Sequence, residues 1–117
     1  MKFKLDIKPL SINMAFQGRR FKTRSATQYD RALALLLPKQ KVEGEYFKVK
    51  YHFYLVNFSR TDCDNLVKNL QDCIVRQGII TDDRRIIEYE IKKFKAEKDS
   101  IVVEILAVNL PILDPQK

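Results

Sequence analysis

Residues 61–83 carry the pattern that most constrains the fold of this chain. On a helical wheel at about 100° per residue, the apolar side chains gather in one arc and the charged ones in a separate stripe. The stripe consists of Asp64, Lys68 and Asp72, each four residues from the last. The stretch therefore predicts an amphipathic helix that turns its charges away from the core. The apolar arc contains Leu66, Leu70, Cys73, Ile74 and Gln77, with Val67 at its edge.

Both ends of this predicted helix are marked by residues that favour helix termini. Asp62 or Asp64 can accept a hydrogen bond from a free N–H of the first turn. Gly78 can adopt the left-handed conformation with which many helices end. The acidic pair Asp82 and Asp83 follows after one short apolar step.

Three of these carboxylates could form one site. If the chain folds back after Gly78, Asp83 can meet Asp62 and Asp64. Two carboxylates about 4 Å apart repel by roughly 4 kcal/mol at an effective dielectric constant near 20. A cluster of three therefore needs a proton, a cationic side chain or a metal. Because no histidine or paired cysteine is nearby, the donors favour a hard cation, Mg²⁺ or Mn²⁺.

A simpler interpretation of the same aspartates is a helix cap and a solvated turn. Aspartate is common at both kinds of position. A stripe explained by solvent alone would more often carry Glu and Lys, which are better helix formers. The combination therefore favours a site, although each aspartate alone does not.

The order of residues in this block resembles one known family. Asp62-x-Asp64-Asn65-x-x-Lys68, then Asp72, Gly78 and Asp82-Asp83, is similar to the RusA-type Holliday junction resolvases over about a fifth of the chain. The resemblance implies a homodimeric endonuclease that needs Mg²⁺, with Mn²⁺ as a substitute, and that cuts four-way DNA junctions.

The resemblance also assigns roles to individual residues. It implies that Asp62, Asp64 and Asp83 bind the metal and, with Lys68, carry out catalysis. The supporting residues are expected to be Asn65, Asp72 and Asp82. Asp72 lies one turn beyond Lys68 and can orient it.

The charge of the chain fits a polyanionic partner. The 117 residues carry a net charge of +7 in spite of the acidic block, and basic proteins attract nucleic acids through counterion release. Residues 17–24 are predicted to form a flexible basic loop or ribbon, in which Phe21 could stack on a base or pack into the core. A solvated loop is the alternative. The predicted DNA contacts are Arg19, Arg20, Lys22, Arg24, Arg60 and Arg84, and Asn13 could lie near the site.

The length predicts one small domain over residues 1–117. No apolar run approaches the roughly 20 residues of a membrane span, and residues 1–6 do not read as a signal peptide. We therefore expect a cytoplasmic protein without a membrane partner. Two cysteines about 15 Å apart along one helix could not form a disulfide.

The remaining periodicity predicts an α+β fold in the order strand, helix, strand, helix, strand, strand, with helices packed on a mixed sheet. Residues 45–57 alternate most clearly, with every second side chain apolar. A helix is expected to begin at a cap formed by Ser25 or Thr27 and to end before Pro38. Residues 93–99 are expected to connect the last two strands as a hairpin.

Two other functions remain open at this point. The chain could be a basic DNA-binding module without catalysis, or a Mg²⁺-dependent nuclease that acts on linear DNA. His52, the only histidine, could serve as a base, but a surface position is favoured because no partner for it is evident in the sequence. A calcium loop is excluded, because Val67 and Cys73 stand where an EF-hand needs Gly and Glu.

Overall fold

The computed structural model describes residues 1–12, 16–17 and 21–111, with the backbone alone for 16, 17, 21 and 22. The strands and helices follow in chain order as β1 (Lys2–Leu5), β2 (Phe16–Gln17), β3 (Phe21–Lys22), α1 (Arg24–Leu36), β4 (Tyr46–Leu55), α2 (Val67–Gln77), β5 (Ile86–Lys95) and β6 (Ser100–Val108). Short 3₁₀ turns lie at Phe58–Arg60, Cys63–Leu66 and Asp83–Arg85. The α+β class and the predicted order of the main elements are confirmed.

Strand β4 is the centre of the sheet, whose strand order is β1-β6-β4-β5. Its side chains alternate strictly between buried and half-buried, as the sequence predicts for a strand with one face on the core. The strand β5 pairs with β4 in parallel, and β6 pairs with it antiparallel. The core face of β4 carries Phe47, Val49, Tyr51, Phe53 and Leu55, all buried.

Both helices contribute to the same core as this face of the sheet. Leu33 from α1 and Leu70 and Ile74 from α2 are fully buried, which confirms the predicted apolar arc. A parallel pair of neighbouring strands needs a crossover connection, and α2 supplies it between β4 and β5. The crossover thereby fixes where α2 and the segments at its two ends lie relative to the sheet.

The predicted hairpin between the last two strands is wrong. β5 and β6 lie on opposite sides of β4, and residues 96–99 pass around its end. The Ala96 N–H donates to the Leu55 carbonyl at 3.0 Å, and the Val56 N–H donates to Asp99 Oδ1 at 2.9 Å. This loop therefore caps the end of β4. Strand β5 also extends to Lys95, so Lys93 belongs to the strand and not to the connection.

Helix α1 begins two to four residues earlier than predicted. Thr23 is its N-cap and accepts a hydrogen bond from the Ala26 N–H at 3.2 Å, so neither Ser25 nor Thr27 caps it. The basic stretch before it contains the paired strands β2 and β3, which agrees with the ribbon alternative. Both cysteines are free thiols. None of the helices in the described ranges has the length and apolar character needed to cross a membrane.

Candidate active site

The segment that carries Asp62 and Asp64 is a 3₁₀ turn and not the start of the helix. Asp62 precedes the turn Cys63–Leu66 and forms no side-chain cap. Helix α2 begins only at Val67, after Leu66 in the N-cap position. The predicted capping role of the two aspartates is therefore wrong. The side chains of Asp62 and Asp64 are exposed to solvent and form no hydrogen bond that caps the helix.

Two of the three residues of the predicted charged stripe, Lys68 and Asp72, lie on α2, whereas Asp64 lies in the 3₁₀ turn before it. Lys68 Nζ donates to Asp72 Oδ1 at 3.0 Å, one helical turn away, and the two side chains are 58% and 42% exposed. This hydrogen bond and the charge of Asp72 raise the pKa of Lys68, and the charge of Asp83 adds to the effect. The ammonium is therefore held at a defined position and stays protonated throughout the neutral range.

Asp83 lies on the same side of the molecule as this stripe. The chain leaves α2 at Gly78, which is left-handed with φ 86°, and Ile79 and Ile80 then enter the core. This fold-back places the half-buried Asp83 near enough to influence the pKa of Lys68. The chain thus folds back after Gly78, as convergence of the three aspartates requires, and the convergence itself stays a prediction.

Asp82 has a different environment from its neighbour. Its carboxylate accepts hydrogen bonds from Arg84 Nη2 at 2.7 Å and from the Arg84 N–H at 2.9 Å. These bonds to Arg84 lower the pKa of Asp82. Asp82 thus neutralises Arg84, and Asp83 is left without that partner.

Beneath the stripe lies a buried hydrogen bond that the sequence did not reveal. The Tyr51 hydroxyl donates to Gln71 Oε1 at 2.9 Å, and both residues are buried. Burial raises the pKa of Tyr51, and Tyr89, Asp83 and Asp72 raise it further. The bond joins β4 to α2 directly below the charged side chains, so it fixes the helix that carries Lys68.

A shared property separates the predicted metal ligands from the other aspartates. In the part of the chain that is described, every other aspartate takes part in a hydrogen bond or ion pair: Asp6, Asp30, Asp72, Asp82 and Asp99. The side chains of Asp62, Asp64 and Asp83 form neither within these residues. Carboxylates kept without a partner are available to bind an ion or to act on a substrate.

The three carboxylates do not form a closed metal cage. Within the described ranges, no group of three or more His, Cys, Asp and Glu side chains is placed to hold a metal ion. Mg²⁺ is usually bound by only one or two carboxylates, with water and substrate phosphates completing its shell. One or two of these carboxylates would therefore be enough to bind Mg²⁺ when a DNA phosphate supplies further oxygen ligands. The assignment of all three as metal ligands stays a prediction.

The predicted DNA contacts are only partly within the described residues. Arg24 and Arg60 are exposed. Arg84 is also exposed, but it forms the ion pair with Asp82. Asn13, Arg19 and Arg20 lie outside the described residues, as do the side chains of Phe21 and Lys22. Asn65 is half-buried, and its N–H donates to the Asp62 carbonyl at 3.2 Å.

His52 lies on the other face of the sheet and has a partner there. Its Nε2 is 2.7 Å from Glu90 Oε2, and this contact is the main cause that lowers the pKa of Glu90. The same face carries ion pairs of Lys48 with Glu88 and of Lys50 with Glu104. These cross-strand pairs agree with a surface role for His52, away from the aspartates.

Residues 12–106 match the sequence profile of the family described as endodeoxyribonuclease RusA. The chain belongs to the RusA family. The predicted resemblance is confirmed, and the match reaches far beyond the acidic block from which it was made. It includes β4, α2, β5 and almost all of β6.

Two curated RusA relatives are similar to different extents of the chain. One is the crossover junction endodeoxyribonuclease rusA of Lactococcus phage r1t, 41% identical over 61 residues. This match covers 52% of the chain and 47% of the phage protein, so it spans about half the length of that relative. The other is the crossover junction endodeoxyribonuclease RusA of Aquifex aeolicus (strain VF5), 26% identical over 98 residues, which covers 80% of this chain and 78% of the relative.

Proposed function

We propose that this RusA family member is a Mg²⁺-dependent endodeoxyribonuclease that resolves four-way DNA junctions by paired cleavage of phosphodiester bonds. The observation that carries the proposal is the set of aspartates without partners, Asp62, Asp64 and Asp83, beside an oriented lysine. The names of both relatives describe crossover junction endodeoxyribonucleases, which supports a branched substrate.

Each residue of the proposed site has a chemical task. Lys68 is positively charged and pinned by Asp72, so it can stabilise the negative charge that develops on the scissile phosphate. Asp62, Asp64 and Asp83 offer the oxygen donors that would hold Mg²⁺ against the DNA. Mg²⁺ held there would supply an activated water molecule and would neutralise charge on the phosphate. The phosphate itself would complete the set of donors.

Positive charge over the rest of the chain would bring DNA to these acids. The whole chain, acidic block included, has 22 Lys and Arg against 15 Asp and Glu. Such an excess of cations favours binding of a polyanion. Arg24 and Arg60 are the exposed candidates for phosphate contacts within the described part, with Arg84 if it leaves Asp82. Arg19, Arg20 and Lys22 remain proposals from the sequence.

A four-way junction has near two-fold symmetry, and two cuts related by that symmetry need two active sites. We therefore propose a C2 homodimer. Light scattering at working concentration would give twice the chain mass of 13.8 kDa. A monomer that still cuts both strands at symmetric positions would contradict the dimer. We also propose a cytoplasmic location, because a DNA substrate would be met there.

The experiment is incubation of the protein with a synthetic four-way junction, with and without Mg²⁺, beside a linear duplex of the same sequence. We expect symmetric nicks in the junction only when Mg²⁺ is present. Equal cleavage of both substrates would indicate a general nuclease. Junction binding without cleavage under any divalent ion would indicate a DNA-binding module without catalysis.

A further inference from the structure

Lys93 makes an unusual set of contacts for a lysine on an edge strand. Its Nζ donates to the carbonyl oxygens of Phe58 at 2.8 Å and Thr61 at 3.0 Å. The same ammonium lies 4.4 Å from the centre of the Phe58 ring, within range of a cation–π interaction. The side chain is half-buried. Three separate contacts therefore hold this charge in one place.

The segment that Lys93 holds leads directly to the proposed active site. Thr61 is joined by its carbonyl to Asp62, and Asp64 follows two residues later. Phe58 in the same segment packs against the core, whereas Ser59 and Arg60 are exposed. The bonds from Lys93 cross 32 and 35 residues of sequence to reach it. They tie the loop to β5.

Local bonds complete the arrangement but do not replace this tie. The Thr61 hydroxyl donates to the Asn57 carbonyl at 2.7 Å, which shapes the loop internally. Among the side-chain hydrogen bonds of the described residues, those from Lys93 link the loop to the strand that follows Asp83. Asp83 precedes β5 and Asp62 follows the loop, so the bonds from Lys93 connect the two segments that carry these carboxylates.

We propose that Lys93 is a positioning residue that fixes the acid-bearing turn of Asp62 and Asp64 relative to Asp83. The inference rests on the proposed function, because it assumes that these carboxylates act together on DNA. The ammonium does not need to touch the substrate. Loss of the ammonium would leave the carbonyl oxygens of Phe58 and Thr61 without this donor and would allow the turn to move. A displacement of about 1 Å can cost on the order of 100-fold in rate.

The test compares Lys93→Met with Lys93→Arg and with Lys92→Met. Methionine keeps an unbranched stem without the charge, and arginine keeps donors that can reach both carbonyls. Lys92 is the matched control, since it lies on the opposite face of the same strand and is 57% exposed. Single-turnover cleavage of the junction, junction affinity without Mg²⁺ and amide exchange of residues 58–66 are measured for each variant.

We expect Lys93→Met to lower single-turnover cleavage about 10- to 100-fold, to leave junction affinity within about twofold, and to speed amide exchange in residues 58–66. Lys93→Arg should recover at least part of the cleavage, and Lys92→Met should match the wild type. Unchanged cleavage by Lys93→Met, or reduced affinity at unchanged cleavage rate, would overturn the proposal. The second result would assign Lys93 to a phosphate contact.

Two further outcomes are covered by the same measurements. If Lys93→Met does not fold, Lys93→Arg is compared with the wild type. Faster amide exchange of residues 58–66 together with slower cleavage in Lys93→Arg supports the proposal. Faster exchange with unchanged cleavage overturns it. If the wild type itself does not cut the junction, the proposed function fails. The exchange of residues 58–66 then still reports whether Lys93 orders the turn.

Discussion

Lys68 Nζ lies 3.0 Å from Asp72 Oδ1 on the exposed face of α2, and Asp83 is near enough to add to the rise in the pKa of Lys68. The ion pair is solvent-exposed, so its contribution to folding is small. The ion pair instead orients the Lys68 ammonium, and the nearby Asp83 carboxylate has no side-chain partner of its own among the described residues.

Asp72→Asn tests that orientation. We expect the free energy of unfolding to change by less than about 0.5 kcal/mol, and the rate of junction cleavage to fall about 10-fold through misplacement of Lys68. In the variant the pKa of Lys68 returns toward its ordinary value of 10.5. Lys68 stays protonated at neutral pH in both proteins, so their pH–rate profiles should have the same shape between about pH 7 and 9. A shifted profile would contradict a purely orienting role.

The buried bond from Tyr51 to Gln71 is predicted to support the fold below the site. Tyr51→Phe leaves Gln71 Oε1 without its donor, which should cost about 1–3 kcal/mol in urea denaturation. Removing both polar groups in Tyr51→Phe with Gln71→Leu should cost less than the sum of the single changes. Additive losses would show that the two groups do not interact. Tyr89→Phe, which alters an exposed hydroxyl, is the control.

The two described glycines with positive φ are predicted to differ in their tolerance of a side chain. At Gly78 an added Cβ would meet nothing within 4 Å, so Gly78→Ala should cost only the strain of a left-handed residue, about 1–2 kcal/mol. At Gly44 an added Cβ would lie 2.9 Å from the Ala107 Cβ, so Gly44→Ala should cost more. Thermal denaturation of both variants would reveal the order, and the reverse order would contradict the geometry.

The pair of His52 and Glu90 is predicted to give an acid-sensitive contribution to stability. The bond from His52, together with Lys92 and Lys50, lowers the pKa of Glu90 below its ordinary value of 4.5. A carboxylate with a lowered pKa in the folded state stabilises the protein above the unfolded pKa, and this contribution is lost as pH falls through the folded value. The difference in unfolding free energy between wild type and Glu90→Gln should therefore shrink below about pH 4.5. A difference that stays constant to about pH 3 would contradict the assignment.

The sequence predicted the parts of the fold that depend on local periodicity. The alternation of Phe47, Val49 and Tyr51 placed β4 correctly, because one face of a strand repeats every second residue. Gly78 marked the end of α2, because its φ of 86° is strained for other residues. These signals require no knowledge of distant contacts.

The errors arose where tertiary contacts decide the outcome. Strand β6 pairs with β4 and not with its neighbour β5, although the short connection alone favoured a hairpin. Asp62 and Asp64 resembled caps, but the chain enters α2 through a 3₁₀ turn that leaves both free. The sequence pattern places Lys93 in a charged loop. Its bonds to Phe58 and Thr61 span more than 30 residues, so local sequence does not reveal them.

The central claim is that the aspartates without partners act on junction DNA, and Asp64→Asn tests it most directly. The measurement is single-turnover cleavage of a four-way junction in Mg²⁺, beside junction binding without Mg²⁺. Glu97→Gln, which removes one negative charge from an exposed loop residue, is the control. The account predicts that Asp64→Asn loses cleavage by a factor of about 100 or more and binds the junction at least as well as the wild type. Cleavage by Asp64→Asn at the rate of the wild type would contradict it.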